Sequence, residues 1–241
     1  MANIQEVFER RETKYVLSRT QYHALIKALG KNIEPDIYFR NTNCSVYFDT
    51  PEYELVSLSL EKPIYKQKIR VRSYGVPKSD ESPVFLEIKK KFDDIGNKRR
   101  VTMRLKDFYH FLQTDELNGD NPQIEREIKH VFHHYDLRPT MYIAYERYSY
   151  CSAEDPNFRL TFDFDVRSRL DHLRLEDGDQ GELYFKNGEI IMEAKSLGAF
   201  PMWFVRELSR LHIYPASFQK YGYIYQARFN EIINNNKKEN K

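Results

Sequence analysis

Apolar and polar residues alternate with a period of two through most of this chain, while the 3.6-residue period of a helix appears in few places. Successive strand side chains point to opposite faces, so each alternating run predicts a strand with one apolar and one polar face. In IYKQKIRVRSY, residues 64–74, Lys66, Lys68, Arg70 and Arg72 share one face, and Ile69 and Val71 share the other. VFLEIKK sets Glu87 and Lys89 against Leu86 and Ile88, and NKRRVTM sets Lys98, Arg100 and Thr102 against Val101 and Met103. VFERRETKYVL, residues 7–17, puts Arg10, Glu12 and Lys14 together, and MYIAYERYS does the same with Tyr145 and Arg147. NFRLTFDFDV groups Arg159, Thr161, Asp163 and Asp165, and EIIMEAKS groups Glu193 and Lys195. Helices are predicted for SRTQYHALIKAL, capped by Ser18 and stopped at Gly30, and for MRLKDFYHFLQ and QIEREIKHVFHHY. PMWFVRELSRLH and SFQKYGYIYQARFNEII give a closing pair.

A half-solvated antiparallel sheet alternates in the same way, but its wet face mixes small polar groups with charges of both signs. Here cations dominate the polar face in strand after strand. Like charges set directly across from one another destabilise a sheet unless something anionic lies between them. The arrangement that reconciles the pattern is an α+β fold: a closed or nearly closed antiparallel β-barrel, its charged face lining a lumen and its apolar face covered by helices. A lumen of Lys and Arg calls for a polyanionic ligand. The acids Glu12, Glu87 and Glu193 among these cations suit local pairing or a divalent metal, since hard cations take oxygen ligands.

At 241 residues, one domain over 1–241 is expected, with a frayed polar tail from about 234. The 38 basic and 36 acidic residues leave a net charge of +2, so no global field recruits nucleic acid. The aromatics of FRLTFDF also fall opposite the cations, whereas RNA-binding sheets display theirs for stacking. Cys44 and Cys151 are too few for a disulfide framework and have no metal-ligand spacing, which fits a reducing, cytoplasmic setting. No apolar run approaches the roughly 18 to 20 residues of a transmembrane segment, which leaves docking to a membrane-protein partner open. His130, His133 and His134 read as a helix face and LEDGDQGE as a hairpin loop. Trp203, Phe204 and Leu208 read as the packing stripe of a helix.

Taken in order, RxExKY (Arg10, Glu12, Lys14, Tyr15), YFDT (Tyr47 to Thr50), KIRVRSY, EIKKK, KRR, YER, FRLTFD, MEAK and SFQKY (Ser217 to Tyr221) resemble the VTC domain. This is the polyphosphate polymerase domain of the CYTH-like, triphosphate tunnel metalloenzyme superfamily. The resemblance spans roughly residues 8–225 and implies an eight-stranded tunnel. It further implies that Lys14, Arg70, Arg72, Lys89, Arg147 and Arg159 grip phosphate oxygens and that Tyr145 hydrogen-bonds one. Glu193 would hold Mn²⁺ or Mg²⁺, with Glu12 as a second acid at the metal. Ser217 and Lys220, at the start of the last helix, would meet phosphate, and Lys98 and Arg100 follow by parity. Arg10, Lys68 and Lys195 share the charged faces and are assigned to phosphate or nucleotide as well. The expected substrates are ATP, polyphosphate or triphosphate. Hydrolytic members of the superfamily carry ExExK where this chain has Arg10, Glu12 and Lys14, so the polymerase-like branch, in a stand-alone bacterial-type form, is expected, with a triphosphate or nucleoside-triphosphate hydrolase and a non-catalytic polyphosphate- or nucleotide-binding module as the alternatives.

Overall fold

The computed structural model describes residues 10–93, 95–117 and 121–233, with Arg10 described through its backbone only; the polar tail lies outside them. The elements run β1 (Arg10–Leu17), α1 (Arg19–Leu29), β2 (Ile33–Asp49), α2 (Glu54–Leu60), β3 (Tyr65–Tyr74), β4 (Pro83–Phe92), β5 (Ile95–Arg104) and α3 (Leu105–Thr114). They continue α4 (Pro122–Tyr135), β6 (Arg138–Ser152), β7 (Arg159–Arg169), β8 (Glu182–Leu183), β9 (Ile190–Leu197), α5 (Met202–Arg210) and α6 (Lys220–Ala227). Each alternating run of the sequence is a strand. The Ser18 hydroxyl accepts the Gln21 N–H at 3.1 Å and the Gln21 side chain accepts the Ser18 N–H at 3.0 Å, a reciprocal cap that starts α1. Gly30 ends α1 at φ 47°, a conformation open to a residue without a Cβ.

Hydrogen bonding orders the strands β1-β9-β7-β6-β2-β3-β4-β5, with β8 on β7. The fold is therefore mixed α+β around a large antiparallel sheet. No pairing joins β1 to β5 among the described residues, so the pairing itself does not carry the closure into an eight-stranded barrel expected from the alternation.

The chain divides into two compact units. The first takes residues up to Asn41, Tyr145–Val166 and Phe185–Phe218. Its sheet turns Tyr15, Leu17, Leu160, Phe162, Met192 and Ala194 into one core with Leu25 and Leu29 of α1 and Phe204 and Leu208 of α5. The second takes Thr42–Ala144, Arg167–Tyr184 and the chain from Gln219. There Ile69, Val71, Leu86 and Ile88 pack on Phe108 and Phe111 of α3 and on Ile128 and Val131 of α4. Burying one such side chain fully stabilises by roughly 1.5 to 3 kcal/mol, so the apolar parity of the strands decides which face is covered.

Helix α6 departs from the expectation that the helices cover only the apolar face. Its Tyr221 ring stacks on Tyr47 at 4.5 Å, and Tyr47 shares the face of Arg70, its strand partner. The Tyr221 hydroxyl donates to Asp49 at 2.9 Å. The buried Asp49 carboxylate also accepts the N–H groups of Thr50, Leu55 and Val56, which fixes the start of α2.

Candidate functional site

In the second unit the register of β3, β4 and β5 sets cation across from cation. Lys68 pairs with Lys89 and Lys89 with Lys98, so three lysines form one row over three strands. The neighbouring row is Tyr47, Arg70, Glu87 and Arg100, and the next is Ser45, Arg72, Phe85 and Thr102. Glu87 is the acid at the centre of this array, with its side chain 2% exposed. Arg70 Nη2 lies 2.7 Å from one of its oxygens and Lys98 Nζ 2.5 Å from the other. Burial pushes this carboxyl up, but Arg70, Arg72 and Lys98 outweigh it and hold the pKa at about 2. Burial, together with Arg70 and Arg72, in turn draws the Lys98 ammonium below its ordinary value despite Glu87.

Other cations of this array are tethered too. Arg70 Nη1 donates to the Tyr47 hydroxyl at 3.1 Å, and the buried Arg72 donates from Nε to Ser45 Oγ at 3.2 Å. Lys68 Nζ donates to Gln219 Oε1 at 2.5 Å. Lys89 and Arg100 are exposed, the Arg100 guanidinium lying over the Phe85 ring at 5.0 Å. Lys220 is the first residue of α6.

The first unit holds a second cluster on β1, β9 and β7. Lys14 and Thr161 flank Glu193, and Glu12 and Arg159 flank Lys195, on one face. Lys195 Nζ lies 2.7 Å from Glu193 Oε1 and 3.5 Å from Glu12 Oε2, while Lys14 Nζ lies 3.0 Å from Glu12 Oε1. Burial lowers the Lys14 pKa, but Glu193 and Glu12 more than reverse it. Glu193 is pushed up by burial and by Glu12, yet Lys195, Lys14 and Arg147 leave it below its ordinary value. Arg147 grips Asp163 with two bonds of 2.6 and 2.8 Å and lies 5.2 Å from the centre of the Tyr145 ring. Arg159 is half exposed and ion-paired to Asp36. Arg10 opens β1 opposite Leu197.

The family model described as the VTC domain matches residues 9–229. The chain belongs to the VTC domain family. It is 25% identical over 205 residues to the vacuolar transporter chaperone complex subunit 4 of Trypanosoma brucei brucei (strain 927/4 GUTat10.1). That match takes in 67% of this chain and spans only 26% of that relative's length. Among solved structures, a "putative adenylate cyclase" from Bacillus halodurans superposes with a TM-score of 0.53 at 13% identity, over 86% of this chain and 92% of the other. A second protein so described, from Vibrio parahaemolyticus, reaches 0.46 at 12% identity, over 89% and 97%. The first of these likenesses shows the fold alone.

Within this VTC domain, parity brings together Glu12, Lys14, Glu193 and Lys195 in one cluster, and Lys68, Arg70, Arg72, Lys89, Lys98 and Arg100 in another. The placement of Ser217 differs from the expectation. It is an exposed residue of the first unit, before the Gln219 N-cap, so the helix begins later than SFQKY suggested. Tyr47, Asp163 and Gln219 were missed as site residues, although YFDT, FRLTFD and SFQKY contain them. Each is a polar group that holds a cation, and only the tertiary fold reveals which one. The helix-face reading of the histidines agrees with His133 pairing with Asp115 at 3.0 Å. LEDGDQGE spans the connection between the antiparallel strands β7 and β8 and ends on Glu182, the first residue of β8.

No group of three His, Cys, Asp or Glu that could hold a metal ion occurs among the described residues. The acids available are Glu12 and Glu193, with the Lys195 ammonium within ion-pair range of both. One or two carboxylates suit an Mg²⁺-type ion that completes its shell with water and substrate phosphate, so the donor set fits a metal brought with a triphosphate. No helix among the described residues is long and apolar enough to cross a membrane.

Proposed function

We propose that this VTC domain catalyses metal-dependent phosphoryl transfer, passing the γ-phosphoryl group of ATP to the end of a growing polyphosphate chain. The observation that carries this reading is the row Lys68, Lys89 and Lys98 beside Arg70 and Arg72. Like charges in adjacent strand positions oppose one another unless an anion of matching repeat neutralises them, and a phosphate chain is such an anion. The transition state of phosphoryl transfer is loose, so catalysis rests on positioning and charge neutralisation, and Arg and Lys supply both. A phosphate acceptor is already anionic and needs no strong base, which agrees with the absence of histidine from β1, β3, β4, β5, β6, β7 and β9. Glu193 and Glu12 would hold Mn²⁺ or Mg²⁺, which when bound neutralises charge at the reacting phosphate. Lys14 and Arg147 orient phosphate oxygens, and Lys195 balances the two acids. The partners in this reading are ATP and polyphosphate or triphosphate, in a cytoplasmic setting, with no nucleic acid.

A hydrolase using water on triphosphate or nucleoside triphosphates is the second reading, favoured by Glu12 lying in the same cluster as Glu193. Incubation with ATP, GTP or inorganic triphosphate and Mn²⁺ separates the two. Long-chain polyphosphate and ADP are expected from ATP, and recovery of neither polyphosphate nor free phosphate would overturn both. Glu12→Gln is expected to slow polymer formation about ten-fold without abolishing it, whereas a hydrolase that uses Glu12 to orient water would lose phosphate release altogether.

A further inference from the structure

β3 continues past the arginines into a cavity. Arg72 is followed two residues on, about 6.6 Å along the strand, by Tyr74, which shares its face and is 53% exposed. The cavity there holds about 280 Å³ and is lined by Ser73, Tyr74, Val76, Pro77, Pro83 and Phe85 among others. This is just below the roughly 300 Å³ at which clefts for drug-sized ligands begin, so it suits a single heterocycle and not a whole nucleotide. Phe85 is the strand partner of Arg72, and its ring meets Tyr74 edge-on at 5.4 Å.

Two aromatic rings and two prolines favour a planar group over another phosphate. We propose that this cavity receives the base of the nucleoside triphosphate donor, which rests on the Tyr74 ring while Arg72 and Arg70 hold its phosphates. The inference rests on the phosphoryl-donor reading above and adds where the nucleoside end lies. Stacking on Tyr74 supplies affinity that tolerates different bases, because every base has a π-face.

Calorimetric titration with ATP and with inorganic triphosphate tests the assignment. Tyr74→Ala is expected to weaken ATP about ten-fold and to leave triphosphate within about two-fold, as the loss of one stacked base implies. Tyr74→Phe keeps the ring and is expected to retain ATP affinity. Equal losses for both ligands, or an unchanged ATP affinity in Tyr74→Ala while triphosphate still binds, would overturn the inference and leave the functional reading standing. If the unaltered protein binds neither ligand, both fall together. Tyr74 is more than half exposed, so its replacement leaves the core intact.

Discussion

Replacing Glu87 with glutamine is expected to destabilise the protein by about 2 to 3 kcal/mol at neutral pH, measured by urea denaturation. Two lines lead to that figure. Holding a carboxyl at about 2 against its usual 4.5 corresponds to about 3 kcal/mol of stability. Breaking a buried ion pair costs roughly 3 to 5 kcal/mol; the discount here is that Arg70 and Lys98 are 23% and 45% exposed and so partly solvated. The depressed Lys98 ammonium points the same way, because it bears part of the cost of the pair. The sign with pH follows from the depressed carboxyl: its contribution is complete above about 4.5 and disappears as pH falls from about 4.5 to about 2. The variant should lack that slope, and the two proteins should converge at the acid end. Inorganic triphosphate is expected to restore more stability to the variant than to the parent, since it supplies the charge that Glu87 no longer provides. An unchanged urea midpoint, or parallel pH profiles, would show that Glu87 does not neutralise this array.

The faces of the strands were legible from sequence because period-two alternation needs only local information, and on β3, β4, β5 and β9 the charged residues so grouped lie along one face. Register was not legible. That Lys68, Lys89 and Lys98 stand in one row depends on the hairpin connections between β3, β4 and β5, which shift the pairing without altering the alternation. The same ignorance hid Glu87 as the shared partner of Arg70 and Lys98, and Asp163 as the partner of Arg147. Helix α2 escaped notice because ELVSLSL is short and follows Tyr53 in a left-handed conformation at φ 59°, with the buried Asp49 in place of a local cap. The start of α6 was misjudged because Gln219 makes no side-chain cap of its own. Its amide instead accepts from Lys68 and Ser59, a tertiary demand that no local propensity encodes.

Glu193→Gln is expected to lower ATP turnover at least about a hundred-fold while leaving triphosphate affinity within about three-fold. The side chain keeps its shape but loses the charge that would bind a divalent ion, and loss of a metal ligand or its close support typically costs 10- to 100-fold in affinity or activity, compounded when the ion neutralises the reacting phosphate. The cations expected to dominate phosphate binding belong to β3, β4 and β5 and keep their partners in this variant. Lys195 loses its 2.7 Å ion pair, retains Glu12 at 3.5 Å, and is freed toward phosphate, so binding is not expected to collapse. Mn²⁺ titration in the absence of nucleotide gives an independent readout, with weaker binding expected in the variant. This separates an enzyme from a module that only captures polyphosphate, because capture needs the lysine row and has no use for Glu193. Tight polyphosphate binding in parent and variant alike, with no turnover in the parent, would assign the domain to capture; coupled loss of turnover and Mn²⁺ binding with triphosphate affinity preserved would assign it to catalysis.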